Sequence, residues 1–440
     1  MEKHSKTINL IKAIIIIAVG AVILTGLSKI LTLKSEDGIN QLQALYKQPE
    51  DSIDVIFLGS SKVYCDIATG VLWDNYGIPA FDLGGAEAPS WVSYYQLKEA
   101  LKTQKPKVIC YEVSVAAMYD MLYQANNWAS DNSYGMKWNS NRIDQLRVNS
   151  EGDDFALRLN PFNIMHGRYK DLKENDFVNI RDTVKYKGFD PRENISERET
   201  PDNGAITEED PCTEKEEEYF RKLIELARSN DIPILLFASP YDVPPENQRI
   251  LNYIGGIAES ENVEYIDFNR LYDEIGMNFA TDMADPGHLN YSGNYKFTNY
   301  FGSLLREKYD LPDRRGDKKY VSWEWDSVYQ SYERNDLTII NTEDVMEIVP
   351  LIQTGYIVFG VSEGKAYIMD DGEFVEEAED GFRLGYESNG DGFTFIDQNE
   401  AMYSHFVSLF INGKQYKEQY GNVMFIYDKV RHEYVRYINY

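Results

Sequence analysis

Two short stretches of this sequence carry residue types that together can move an acyl group. FLGSSKVY (57–64) ends an apolar run on Gly59-Ser60-Ser61, and ADPGHLNYSGNYKF (284–297) sets Asp285 three residues before His288, one of only five histidines in the chain. A serine hydroxyl is a weak nucleophile at neutral pH until a base takes its proton, and an imidazole held in one tautomer by a carboxylate is such a base. An Asp-x-x-His spacing lets carboxylate and base share one loop. Ser61, at a strand-to-helix turn, would also offer its own backbone N–H to a developing oxyanion, and the turn GGAEAPS, with Gly84 and Gly85, is the candidate source of a second donor. Each piece also has an ordinary reading. Ser61 can be a helix-capping serine, Asp285-Pro-Gly a turn with a structural His288, and Gly84-Gly85 a tight turn.

The chemical reading holds only if these pieces meet at one place, so the elements that carry them matter. Short β-rich runs, DVIFLG (54–59), PAFDL (79–83), KVICYEV (107–113), PILLFAS (233–239) and VEYIDF (263–268), alternate with stretches of helical periodicity. Those stretches are SWVSYYQLKEALK, TEKEEEYFRKLIELARSN and ENQRILNYIGGIAES, and Thr213 before Glu216 reads as a capping box. This pattern predicts an α/β fold, a flavodoxin-like doubly wound parallel sheet over residues 50–312. Ligands bind such sheets outside the carboxyl ends of the strands. The residues just beyond those ends are Ser60 and Ser61, Gly84 and Gly85, Ser114, Pro240 and Asp242, then Asp285 and His288. In LNYSGNYKFTNYFGSLL, Phe297, Tyr300, Phe301, Leu304 and Leu305 form the apolar face of a helix that would pin the Asp-x-x-His loop.

The alternation breaks between 114 and 212, an insert with Trp128, Trp138 and the acidic stretch ERETPDNGAITEEDP. It reads either as a lid or as a surface decoration. Beyond DLPDRRGDKKY a connecting helix (313–334) leads to a second domain, 335–440. There GYIVFGVS, KAYIMD, GFTFID, FVSLFING and NVMFIYD, separated by turn residues, predict an all-β sandwich or small barrel.

At the other end, Ala13 to Leu27 holds only apolar residues, Gly and Thr, and Ile8 to Ser28 carries one charge, Lys12. That length spans a bilayer, and Lys3, Lys6 and Lys12 favour an inside N-terminus. The expectation is a single-pass cell-membrane protein with a 1–33 anchor, a polar linker (34–49) and an extracytoplasmic bulk. No A-x-A-like site follows the run, which speaks against a cleaved signal peptide. With 72 Asp+Glu against 44 Lys+Arg, the net charge of -28 argues against nucleic acid as a partner. Three cysteines without C-x-x-C spacing argue against a disulfide framework and structural zinc, and neither a metal nor a cofactor is implied. The absence of G-x-G-x-x-G and G-x-x-x-x-G-K weakens a nucleotide-binding reading.

FLGSSKVY and DPGHLNYSGNYKFT resemble the first and last blocks of the SGNH/GDSL hydrolase superfamily. The resemblance implies a nucleophile at Ser61, a carboxylate at Asp285 and a base at His288. GGAEAPS aligns with the second block in more than one way, so Gly84 and Gly85 both stand as oxyanion candidates. Gly-Ser-Ser after a membrane helix is similar to the DltD-like and alginate-acetylation-type branch. That likeness implies a cell-envelope glycan or teichoic-acid-like polymer as substrate and a membrane-bound O-acyltransferase as partner. The chain departs from the superfamily at YEVSVAAM, which lacks the Gly-x-Asn that completes the oxyanion hole. Losing one such donor costs about 3 to 4 kcal/mol of transition-state stabilisation. The C-terminal FVSLFINGKQYKEQYGNVMFIYD resembles part of an ILEI-type β-sandwich, which implies carbohydrate or protein binding. Two functions follow as expectations: a serine acyltransferase or acylesterase of the cell envelope, or a catalytically degenerate scaffold that binds glycan.

Overall fold

The computed structural model of the chain describes residues 2–33, 38–118, 128–150, 154–177, 186–379, 381–401, 404–419 and 421–440. Residues 34–37 of the expected linker, and 119–127, 151–153 and 178–185 of the expected insert, lie outside the described residues. The chain divides into two compact units, Met1–Asp326 and Ser327–Tyr440.

The first unit is built on a parallel sheet of β1 (Val55–Gly59), β2 (Ala80–Gly84), β3 (Val108–Glu112), β4 (Ile234–Ala238) and β5 (Glu264–Asp267), in the order β2-β1-β3-β4-β5. Strands β1 to β3 are buried at every position, as expected where helices cover both faces of a sheet. The strand order reverses between β1 and β3, so the crevice for a ligand opens beyond Gly59 and Glu112. Helices Ser90–Ala100, Glu214–Ser229, Pro245–Ser260 and Tyr291–Lys308 pack against the sheet. Phe297, Phe301 and Leu305 of the last are fully buried, while Tyr300 and Leu304 are partly buried against the same core. The Phe301 ring lies 4.9 Å from both Phe237 and Phe268 and 5.6 Å from Phe57, which ties the helix to β1, β4 and the turn that follows β5.

Two local expectations need correction. Thr213 does cap the helix Glu214–Ser229, accepting from Glu216 N–H at 3.2 Å. The reciprocal half of the box is absent, because the buried Glu216 carboxylate turns instead to Ser90, whose N–H donates to it at 3.1 Å. Burial pushes that carboxyl up to about 7 against the Ser90 bonds. The polar linker, in turn, contains the short helix Ile39–Leu45, with Ile39, Leu42, Ala44 and Leu45 all buried. It is a packed element and not a tether.

The insert folds as short helices, Trp128–Tyr134, Ser140–Asn149, Asp154–Arg158 and Pro161–Met165, followed by an irregular strap from 186 to 213. The N-terminal helix, Glu2–Leu31, docks its last turn on these. Leu31 joins Ile39, Tyr134, Leu146 and Met165 in one apolar cluster, Ser28 Oγ donates to Asn160 Oδ1 at 2.8 Å, and Arg168 donates to the Leu31 carbonyl. The segment Thr7–Leu31 is long and apolar enough to cross a membrane.

The second unit holds two antiparallel sheets. Its strands are β6 (Tyr356–Ser362), β7 (Lys365–Asp370), β8 (Glu373–Ala378), β9 (Arg383–Ser388), β10 (Asp391–Ala401), β11 (Ser404–Ile411), β12 (Lys414–Gln419), β13 (Val423–Asp428) and β14 (Glu433–Asn439). One sheet, of five strands, has the order β14-β13-β6-β7-β8, and the other, of four, β12-β11-β10-β9. Their facing sides share a core of Ile357, Phe359, Phe393, Phe395, Leu409 and Phe425. The preceding helix runs Val321–Asn341, beyond the expected end at 334, because Ile339 is buried against the outer face of the five-stranded sheet with Val358, Met424 and Ile426.

Removing the ring that packs on Phe57, Phe237 and Phe268 should loosen the helix behind the Asp-x-x-His loop. Phe301→Ala is expected to cost about 3 to 5 kcal/mol in denaturant unfolding followed by tryptophan fluorescence. A loss below about 1 kcal/mol would show that this packing does not hold the helix.

Candidate active site

The turn after β1 is shaped by two glycines. Gly59 has a φ of +148°, and a Cβ there would meet Glu112 Cβ at 2.8 Å, so no side chain fits. A Cβ on Gly84 would meet the Ser60 carbonyl at 2.7 Å, which lets the end of β2 close on the same turn. The short helix Ser61–Asp66 then begins at once. Its cap is Ser60, whose Oγ accepts from Lys62 N–H at 3.4 Å, so capping does not engage Ser61. The Ser61 N–H is at the first helical position, where the helix itself supplies no acceptor.

The other half of the site is the loop 282–290. Ala284 N–H donates to the His288 carbonyl, Asn290 N–H to the Asp282 carbonyl, and Met283 pairs with Leu289 in an antiparallel bridge. Asn290 caps the helix Tyr291–Lys308, accepting from Ser292 and Gly293 N–H, and its own amide donates to the Thr281 carbonyl at 2.7 Å. Inside this frame Asp285 Oδ1 accepts from Gly287 N–H at 2.8 Å and from His288 N–H at 3.0 Å. His288 Nδ1 lies 3.0 Å from both Asp285 oxygens, and Nε2 lies 2.7 Å from Ser61 Oγ. With Nδ1–H donating to the carboxylate, Nε2 is left to accept the Ser61 proton. The structure thus brings together Ser61, Asp285 and His288, of which the first and last are 227 positions apart in the chain.

The electrostatics favour a neutral, basic imidazole. Burial pushes the His288 ring below its ordinary value; the Asp285 hydrogen bond opposes this, and the charges of Lys62 and Arg192 push the same way as burial. Burial pushes the Asp285 carboxyl up, but the His288 contacts, the Gly287 N–H and Lys62 outweigh it and hold the group at about 2. Lys62 itself is 1% exposed. Its ammonium donates to the Gly287 carbonyl and sits 3.7 Å from the centre of the Tyr241 ring. Burial lowers the Lys62 value, while Asp66, Glu112 and Asp285 raise it. Glu112, at the end of β3, receives Ser114 N–H at 3.1 Å and Ser239 N–H at 3.2 Å, joining the turns after β3 and β4. Asp66 accepts from Leu289 N–H at 2.9 Å, which ties the nucleophile helix directly to the base loop.

The expected oxyanion pair does not form as read from the sequence. Gly85 N–H donates to the Gly59 carbonyl at 3.2 Å and is committed to holding the turn. Gly84 serves close packing against Ser60. Behind Gly85 stands Asn132 of the insert, whose Nδ2 donates to the Ala86 carbonyl at 2.9 Å; a Cβ on Gly85 would overlap its Oδ1. Ser114 opens the short helix Val115–Met118 and its N–H folds back on Glu112. Asp242 pairs with Arg198 at 2.6 Å while its N–H donates to the Pro286 carbonyl, so it braces the base loop from the β4 side.

Sequence reasoning missed Lys62, Tyr241, Arg192 and Asn132. Lys62 had one visible signal, its place next to Ser61. Arg192 had none, since the strap that carries it has no periodicity. That strap borders the site: Asp190 N–H donates to the Tyr64 carbonyl and Ser196 N–H to the Met283 carbonyl, and the Arg192 guanidinium lies 6.0 Å from the Tyr64 ring centre. Its described part is pinned along the rim by these bonds, which fits neither a lid over the cleft nor a mere decoration. Among the described residues no group of three or more His, Cys, Asp or Glu is arranged to hold a metal ion.

A hydrogen-bonded serine, histidine and aspartate at the switch point of a parallel sheet defines the class of arrangement found in serine acyl-transfer sites. No family model matches the chain, and no curated protein matches it. Among solved structures, the chain is similar to a catalytic mutant of an acetylxylan esterase from Geobacillus stearothermophilus, with 13% identity over 61% of this chain and 99% of that one and a TM-score of 0.31. It is similar also to a GDSL-like lipase from Bacteroides thetaiotaomicron, with 12% identity over 57% of this chain and 85% of that one and a TM-score of 0.28. At such TM-scores the likeness carries no functional weight, which rests on the geometry at Ser61.

A base whose proton affinity is lowered first by burial and further by a buried ammonium should respond when that charge is removed. In the full-length protein His288 is expected to titrate below 6.5, so that the neutral form dominates at pH 7 and is lost as pH falls through the lowered value. Lys62→Met should move that titration upward, read from the imidazole carbon resonances. An unmoved His288 resonance would mean that Lys62 does not act on the base through its charge.

Proposed function

We propose that this protein is a membrane-anchored serine acyltransferase or acylesterase of the SGNH type, acting on a cell-surface polysaccharide or teichoic-acid-like polymer. The observation that carries the reading is the 2.7 Å contact of His288 Nε2 with Ser61 Oγ while Nδ1 is held by Asp285. In the first step Nε2 takes the Ser61 proton as Oγ bonds to the acyl carbonyl carbon, and the Ser61 N–H faces the developing oxyanion. The C–O bond to the donor alcohol then breaks, and His288 returns the proton to that leaving oxygen. A polymer hydroxyl, or water, attacks the Ser61 ester with His288 again as base, and Ser61 is released.

The membrane reading draws support from the docked last turn of the N-terminal helix, since its loss would strip Leu31 from an apolar cluster. Lysines at 3, 6 and 12 favour an extracytoplasmic position for the rest. Arg192 beside Tyr64, paired at 3.9 Å with Asp190, puts a guanidinium at the rim that a phosphate-bearing polymer could share. The DltD-like likeness suggests a membrane-bound O-acyltransferase as the source of acyl groups, and the ILEI-like likeness suggests that the second unit holds glycan. A second reading, a glycan-binding scaffold without catalysis, is favoured by one observation: Gly85 N–H is already bonded to Gly59.

Labelling separates the two. A serine-directed fluorophosphonate is expected to modify the full-length protein at Ser61 and to leave Ser61→Ala unmodified. With an activated acetyl ester, His288→Ala should lower acyl transfer by about a thousandfold or more. Equal labelling of the Ser61→Ala variant, or full complementation by His288→Ala in cells, would favour the scaffold.

A further inference from the structure

A cavity of about 860 Å³ lies between the last turns of the N-terminal helix and the first half of the insert, apart from Ser61. Lys29, Lys137, Arg142, Trp138, Phe177 and Asn160 are among its walls. We propose that it holds the headgroup of an anionic glycerophospholipid from the bilayer that the helix crosses. The inference rests on the helix being a membrane span and is independent of the chemistry at Ser61.

Position is the first argument. Residues 7–27 are exposed throughout, a stretch of about 31 Å at 1.5 Å per residue. That matches a hydrocarbon core of about 30 Å, so the burial that starts at Ser28 falls where headgroups begin. Thr25, Ser28 and Lys29 of this boundary all line the cavity.

Charge is the second. Three cations line the space against one carboxylate, Asp176, which is occupied by Arg168 at 2.8 Å and Lys173 N–H at 2.9 Å. Arg142 is 5% exposed, donates through one nitrogen to the Met136 carbonyl at 2.7 Å and the Tyr134 carbonyl at 3.4 Å, and keeps a buried Nε–H with no acceptor. Its guanidinium lies 4.4 Å from the Trp138 ring centre. Its guanidinium and Trp138 line the same space, so a positive charge stands beside the cavity, and a phosphodiester is the anion that a guanidinium pairs with best.

Amphipathic lining is the third. Trp138 and Phe177, which border the cavity, are 58% and 65% exposed, and Leu157 and Tyr169 on the same insert are 54% and 64% exposed. Such side chains settle at the headgroup level, where acyl chains would leave the cavity toward the hydrocarbon.

The test uses the full-length, detergent-extracted protein mixed with equal amounts of dioleoylphosphatidylglycerol and dioleoylphosphatidylcholine, read by native mass spectrometry. Preferential retention of the glycerol lipid is expected. Lys29→Gln with Lys137→Gln, both at exposed positions, should weaken that retention by about 20-fold and leave phosphatidylcholine unchanged. Doxyl-labelled phosphatidylglycerol should quench fluorescence of the unsubstituted protein more than that of Trp138→Phe, an arm that needs no change at the buried Arg142. Equal retention of the two lipids, unchanged retention in the double variant, or no dependence of quenching on Trp138 would overturn the proposal. So would displacement of the lipid by millimolar glycerol phosphate, which would make the cavity a site for free phosphates.

Discussion

The Asp285 carboxylate is the constraint on which the rest of the site depends. One oxygen takes two backbone N–H groups of its own loop, and both oxygens face His288 Nδ1. The same group therefore folds the loop and fixes the tautomer of the ring. Without it the imidazole would have neither a direction nor a reason to present Nε2 to Ser61. Every other element serves to bring this loop to the end of β1. Asp66 fastens Leu289 to the nucleophile helix, Asp242 fastens Pro286 to the turn after β4, and Lys62 fastens Gly287 from below.

These three fastenings fall on Pro286, Gly287 and Leu289, on either side of His288, and each comes from a different kind of group. A buried carboxylate, a backbone amide and a buried ammonium all reach a loop that is itself partly exposed, and two of them carry their charge beneath the surface. Such groups are costly to bury unless paired. Lys62 illustrates the balance: its desolvation is opposed by three carboxylates and by the face of Tyr241. Burial is the main cause that lowers the His288 value, and the ammonium that steadies the loop pushes the same way.

The sequence made the frame legible where a feature is local. Unbroken apolar runs mark strands buried on both faces, and the 3.6-residue spacing of Phe297, Phe301 and Leu305 marks the helix behind the base loop. Ser61 and the Asp285–His288 spacing stood out because both follow strands of a parallel sheet, whose chain order forces their ends together. Non-local pairing was not legible. Glu216 is three residues from Thr213 and would complete a capping box by spacing alone, yet Ser90, 126 positions earlier, takes its carboxylate. Ile39–Leu45 is too short for periodicity to separate it from the polar residues around it, and only the surrounding core reveals it as packed. Gly85 looked like a donor because a glycine turn exposes its N–H, until the Gly59 carbonyl across the sheet is placed opposite it.

That last pairing has a consequence for how the site can work. The Gly85–Gly59 bond and the missing side chains at Gly59 and Gly84 draw the β1 and β2 turns together, so the Ser61 backbone is held rigidly. Rigidity there aligns one N–H donor well while withholding a second from the same turn. A site with one strong donor stabilises an oxyanion less than a site with two, by several kcal/mol. The Gly85 N–H, already bonded to the Gly59 carbonyl, therefore adds nothing to an oxyanion beside Ser61. What this turn leaves for one is the Ser61 N–H, at the first position of its helix, where the helix itself supplies no acceptor.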